Sequence, residues 1–122
     1  MSAEFTVRER DEVTIVDGKG KITTAGGAGT LRNIIMKLHE EGKVHLILNL
    51  AEITYIDSSG LGQIVSGFSR ITGSGGELKL LKLTGRVRGF LQTTKLSSIF
   101  EIFEDEDLAV KSFFEKHDTA SV

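Results

Sequence analysis

The sequence predicts an α/β domain with a four- or five-stranded, mostly parallel mixed sheet and about four helices. Three observations predict it. Apolar residues alternate between period-two and 3.6-residue spacing along the whole chain, in the rough order β-β-α-β-α-β-α-β-α. Two runs, Val44–Leu50 and Leu78–Leu83, are apolar densely enough for strands covered on both faces. Glycine is frequent, with 14 residues falling mostly between the periodic segments, and proline is absent.

Phe5 and Val7 alternate with Glu4, Thr6 and Arg8, which reads as a first strand. Val13–Val16 forms a second, and Asp17-Gly18 reads as the turn that ends it. Lys19–Thr24 continues extended, residues 25–29 (AGGAG) form a loop, and Thr30 is placed to cap the following helix. Leu31, Ile34, Ile35 and Leu38 make one helical face, with an exit at Glu41-Gly42. After the Val44–Leu50 strand, Leu61, Ile64, Val65, Phe68 and Ile71 form a second helical stripe, ended by Gly73–Gly76. The Leu78–Leu83 strand follows, then a short helix at Val87–Leu91, a strand at Ile99–Phe103 and a last helix at Leu108–Phe114. Crossovers between parallel strands are right-handed, and the first hairpin puts an antiparallel strand at the sheet edge.

Length and composition set the bounds. At 122 residues the chain is one domain, 1–122, with a core over about 4–116. Hydrophobic residues make up 39% and charged residues 26%, and the net charge is −2, so bulk charge draws the chain to neither nucleic acid nor membrane. Cysteine is absent, which removes disulfides, thiolate metal sites and cysteine nucleophiles. No apolar run reaches the ~20 residues of a membrane span. The opening segment lacks the apolar block of a signal peptide, so a cytoplasmic location is expected.

One segment carries chemistry. Tyr55-Ile56-Asp57-Ser58-Ser59-Gly60-Leu61-Gly62 joins a buried strand to a helix, where parallel sheets present ligands and partners. Asp57, Ser58 or Ser59 supplies a helix cap, and on these residues alone capping is a sufficient explanation. Gly60 and Gly62 fall in the first helical turn, where glycine is unfavourable by up to about 1 kcal/mol. Two readings stand for them: approach of a partner, or close packing of the helix on its own sheet. Gly62, Ser66, Ser69 and Gly73 lie within roughly 60° of one another on a helical wheel, turned away from the apolar stripe. Arg70 is the only charged residue between Gly60 and Gly73. A small, nearly uncharged outward face suits docking, although a face with no selected partner has the same composition.

Asn49-Leu50, the Ile56–Gly62 string, the apolar helix and Gly75-Gly76-Glu77-Leu78 closely resemble the STAS domain, above all the stand-alone bacterial anti-sigma factor antagonists. The resemblance implies that Ser58 is phosphorylated by an anti-sigma factor that is also a serine kinase, with Ser59 as second choice. It implies that the unmodified protein binds this factor and frees a sigma factor. A phosphatase then restores the modified form. Partner-binding residues would be Asp57, Ser58, Ser59, Gly60, Gly62, Ser66, Ser69 and Thr23. The chain departs from the family at Gly20-Lys21-Ile22-Thr23, where many antagonists have a Gly-acid-apolar-Asp motif. Lys21 and Thr23 thus stand on a surface the family uses near its kinase. The protein itself is expected not to be an enzyme, to bind no cofactor, metal, nucleic acid or membrane, and to be monomeric when free. An alternative is an unphosphorylated STAS subunit of a signalling scaffold or lipid-transport complex.

Other constellations are weaker. Gly26–Thr30 precedes a helix but lacks the Gly-Lys-Ser/Thr of a phosphate loop, so a nucleotide-binding enzyme is a distant alternative. His39, His45 and His117 lack metal-ligand spacing, and no Gly-x-Ser-x-Gly is present. Lys79, Lys82, Arg86, Arg88 and Lys95 read as a solvated basic face or a site for an acidic partner, and Phe100, Phe103, Phe113 and Phe114 read as core.

Overall fold

A computed structural model describes residues 3–115. Its elements are β1 (Glu4–Arg10), β2 (Val13–Ile22), α1 (Ala28–Glu40), β3 (His45–Ile56), α2 (Ser58–Gly73), β4 (Glu77–Leu81), α3 (Gly85–Thr93), a 3-10 turn at Ser97–Ile99, β5 (Ile102–Phe103) and α4 (Glu106–Glu115). The five strands form one sheet in the order β1-β2-β3-β4-β5. β1 runs antiparallel to β2, and the remaining pairs are parallel. This is the predicted mixed sheet, with the antiparallel strand at its edge.

The density of apolar residues in β3 follows from its central place. Leu46, Leu48 and Leu50 enter the larger core beneath α1, α2 and α3. Ile47 points the other way, into a smaller core with Val13, Ile15, Leu81 and the α4 residues Ala109, Val110 and Phe113. Beyond Leu50 the apolar spacing becomes three: Leu50, Ile53 and Ile56 all belong to the larger core. Register explains this. Asp17 pairs with Asn49 but Lys19 with Glu52, and Gly20 pairs with Ile53 but Lys21 with Tyr55. β3 therefore gains one residue on β2 twice, and each extra residue resets which side faces the core.

Several local expectations are corrected. Asp17-Gly18 is not a turn, because β2 runs on to Ile22. Gly18 is there for space: a Cβ would lie 3.0 Å from the Phe5 ring and 3.1 Å from Ile53. The hairpin turn is Asp11-Glu12, both with positive φ (53° and 69°), the backbone of a type I′ turn without its usual glycine. Thr30 does not cap α1; Gly27 holds that position at φ 91°, and Thr30 lies inside the helix. The predicted Ile99–Phe103 strand is a 3-10 turn followed by a two-residue strand. Phe114 is exposed, whereas Phe100 and Phe113 are buried as expected. His117 and residue 116 lie outside the described residues.

The basic stretch also divides. Lys79 is buried, only 3% exposed. Its ammonium donates to Ser112 Oγ at 2.7 Å, pairs with Glu101 at 2.9 Å and sits 4.4 Å from the Phe113 ring centroid. Burial of a cation is tolerated where charge, hydrogen bond and ring are all supplied. α4 is held at its other end by charge. Arg8 bridges Asp17 and Glu106, and Arg10 pairs with Glu106 and Asp107. Arg8, then burial partly offset by Arg10, sets the balance that brings the Glu106 carboxyl down to about 2.

Candidate functional site

The end of the sheet where β2 and β3 finish is organised by one carboxylate. Asp57 adopts extended backbone (φ −96°, ψ −178°) and caps α2, its Oδ1 accepting from Gly60 N–H at 2.8 Å. Its Oδ2 accepts from Thr24 N–H at 2.9 Å and from the Thr24 hydroxyl at 3.3 Å. The backbone donor of Thr24, then that of Gly60, holds the Asp57 carboxyl below its ordinary range. Asp57 is thus both a helix cap and a clasp between α2 and the loop that leaves β2. Thr24 was not legible as a site residue, since its partner lies 33 positions away.

Thr23 builds that loop. Its N–H donates to Gly26 O at 2.8 Å, and its carbonyl accepts from Gly26 and Ala28. Its hydroxyl donates to the same Gly26 carbonyl at 3.2 Å. Thr23 is half-buried in this turn, and Thr24 beside it is exposed. Gly27 completes the turn at φ 91°, where a Cβ would lie 2.9 Å from Lys21 O.

The two glycines of the first α2 turn have different causes. Gly60 is buried, and a Cβ there would lie 2.3 Å from Ile22 O. The same carbonyl accepts the Asp57 N–H at 3.2 Å. Gly60 therefore lets the helix start against the end of β2, and its expected place on a partner surface is corrected to an internal contact. Gly62 has no heavy atom within 4 Å of its would-be Cβ, and it faces solvent.

The outward stripe is as the helical spacing predicts. Ser58, Gly62, Ser66, Ser69 and Gly73 are all exposed, while Leu61, Ile64 and Ile71 are buried and Ser59 is half-buried. Ser58 opens the stripe at the first residue of the helix. Among the described residues its hydroxyl has no hydrogen-bond partner. The nearest carboxylate in sequence, Asp57, has its oxygens filled by the bonds above. This arrangement offers an accessible hydroxyl at a helix N-terminus that no described side chain engages by a hydrogen bond.

Among the described residues no group of three or more His, Cys, Asp or Glu side chains is placed to hold a metal ion. None of the described helices is long and apolar enough to cross a membrane. His45 stacks at a tilt on Phe113, with centroids 5.6 Å apart, as a structural histidine does.

Comparison with known proteins agrees with this architecture. The anti-sigma-B factor antagonist of Listeria monocytogenes is 40% identical over 102 residues, covering 84% of this chain and 88% of that protein. The crystal structure of an anti-sigma factor antagonist from Mycobacterium paratuberculosis superposes with a TM-score of 0.82 at 20% identity, over 92% of this chain and 94% of that one. Bacillus SpoIIAA in its phosphorylated form gives 0.71 at 20% identity, over 89% and 98%. At these identities the two structures establish a common fold. With the α2 entry, the outward stripe and the five-strand order in place, and with the STAS domain model matching residues 4–109, the chain belongs to the STAS domain family.

Proposed function

We propose that this protein is an anti-sigma factor antagonist switched by phosphorylation at Ser58. Unmodified, it docks on an anti-sigma factor that is also a serine kinase, using Ser58, Ser59 and the Gly62–Ser66–Ser69 stripe, and a sigma factor is released. Asp57 and Thr23 hold the shape of that surface from behind. Phosphorylation ends docking, and a phosphatase restores it. The chain works in the cytoplasm as a monomer when free, and is the kinase's substrate and not itself a catalyst.

One observation carries this reading: an exposed, unengaged serine hydroxyl opens a helix whose outward face has only small side chains at Gly62, Ser66 and Ser69. The energetics favour a switch over a melt. A phosphoserine adds about −1.5 to −2 charge. The helix N-terminus favours that charge by roughly 0.3–1 kcal/mol, and Asp57 opposes it. Both local effects are small beside the several kcal/mol that an unmatched charge costs inside an interface.

The test is incubation with ATP and the candidate anti-sigma kinases, followed by peptide mass spectrometry. Phosphate on Ser58, absent from Ser58→Ala, is expected. No phosphate on Ser58 or Ser59 from a kinase that binds the protein would sink the proposal.

A further inference from the structure

Two adjacent threonines close the loop after β2, and their hydroxyls go to different places. Thr23 donates within its own turn, to Gly26 O at 3.2 Å. Thr24 reaches across to the entry of α2. Its N–H and its hydroxyl both donate to Asp57 Oδ2, at 2.9 Å and 3.3 Å. The other oxygen, Oδ1, accepts the Gly60 N–H at 2.8 Å. The Asp57 carboxylate therefore has a fixed direction. One oxygen is turned into its own helix and the other toward a residue 33 positions earlier. The Thr24 N–H, then that of Gly60, lowers the pKa of this carboxyl, so it is charged throughout the neutral range.

That direction matters because Asp57 stands beside the hydroxyl that has to react. Ser58 is the next residue, is exposed, and has no hydrogen-bond partner among the described residues. Each carboxylate oxygen has two lone-pair positions, and on Oδ2 Thr24 fills both. Without the Thr24 hydroxyl one position falls vacant, and the nearest side-chain donor in sequence is the Ser58 hydroxyl. Phosphoryl transfer needs that hydroxyl unclaimed. Its oxygen attacks the γ-phosphorus of ATP held by the kinase, the bond to ADP breaks, and the hydroxyl proton passes to a base on the kinase. A proton already donated to Asp57 points away from that base. The carboxylate turned beside the oxygen also sets negative charge against the incoming phosphoryl group.

We infer that Thr24 is a positioning residue for phosphoryl transfer to Ser58: by holding Asp57 toward the β2–α1 loop, it keeps the Ser58 hydroxyl free for the kinase. This rests on the phosphorylation reading above and adds a residue to it. Thr24 touches none of the reacting atoms and acts through Asp57 alone.

The test uses the full chain and single substitutions. Thr24→Val removes the hydroxyl while keeping the β-branched shape and the backbone donor. Thr24→Ser restores a hydroxyl, and Thr23→Val removes the one that bonds Gly26. The first readout is the carboxyl titration of Asp57 by carbon NMR. Its midpoint should rise in Thr24→Val, return in Thr24→Ser and stay in place in Thr23→Val. The second is the kinetics of Ser58 phosphorylation by a kinase that modifies the parent. For Thr24→Val, kcat should fall about three- to tenfold, the worth of one hydrogen bond, with KM unchanged. Thr24→Ser should recover the rate. Thr24 is exposed, so the thermal midpoint of Thr24→Val should match the parent's. An Asp57 midpoint unmoved by Thr24→Val, or a kcat equal to the parent's, would overturn the inference while leaving phosphorylation of Ser58 standing. A change confined to KM that follows a lowered thermal midpoint would overturn it as well, since a merely structural contact does the same. A parent that takes no phosphate at Ser58 from a kinase that binds it would remove the switch, and the positioning role with it, even where the Asp57 midpoint moves as expected.

Discussion

Replacing Gly60 with alanine tests how α2 is seated. The added Cβ would lie 2.3 Å from Ile22 O and 2.9 Å from Ile22 Cγ2. A backbone oxygen cannot rotate aside as a side chain can. The helix start must move by about 1 Å to reach ordinary contact, a displacement of the kind that costs about 1–3 kcal/mol in packed interiors. That movement also strains the Asp57 N–H bond to the same oxygen, a further ~1 kcal/mol. Alanine's helix preference returns up to about 1 kcal/mol, less in a first turn. The net expectation is a loss of about 2–3 kcal/mol, or a fall of about 10 °C in midpoint for a domain of this size. Gly62→Ala is the control: its Cβ meets nothing within 4 Å. It should stabilise by about 0.4–1 kcal/mol while weakening docking, since the methyl rises from the outward stripe. Thermal and urea denaturation of both variants supply the numbers. A Gly60→Ala protein as stable as the parent would refute the fit of α2 against β2.

Two further predictions concern the carboxylates. Asp57→Ala removes the α2 cap and the clasp on Thr24, so a loss of about 1–2 kcal/mol is expected, with faster amide exchange at Gly60 and Thr24; unchanged exchange at Thr24 would contradict the clasp. Glu106 has its carboxyl lowered from 4.5 to about 2 by Arg8 and Arg10, so its stabilising contribution is full above about pH 4.5 and is lost as pH falls toward 2. Because the arginines are partly exposed, this contribution is about 1 kcal/mol after solvent screening. Glu106→Gln should therefore lower stability at neutral pH and flatten the acid limb of the pH–stability curve, and an unchanged acid limb would refute the role of the Arg8–Glu106 pair.

Periodicity carried most of the fold into view. The α1 and α2 faces and the doubly buried β3 and β4 each depend on local spacing, which a single chain displays. What stayed hidden depends on register and distance. The two extra residues in β3 appear only when Asp17–Asn49 and Lys21–Tyr55 pairings are seen together, and they account for the threefold spacing of Leu50, Ile53 and Ile56. Asp17-Gly18 imitates a turn because Gly18 was chosen for the Phe5 ring, and the true turn at Asp11-Glu12 lacks the glycine that announces one. At the site, the helical wheel placed Gly62, Ser66 and Ser69 outward. It also placed Gly60 beside them in sequence while leaving both explanations of its glycine open. Only the Ile22 carbonyl decides between them. Lys79 read as part of a solvated stretch because its acceptors, Ser112 and Glu101, arrive from elements far along the chain.

The central claim concerns what a dianion at one exposed hydroxyl does to association and to folding. Protein stoichiometrically phosphorylated at Ser58 should bind its kinase at least about 100-fold more weakly than the unmodified form, equivalent to roughly 3 kcal/mol, with a thermal midpoint within a few degrees of it. Equal affinity of the two forms, or a binding loss that merely tracks unfolding, would contradict the account.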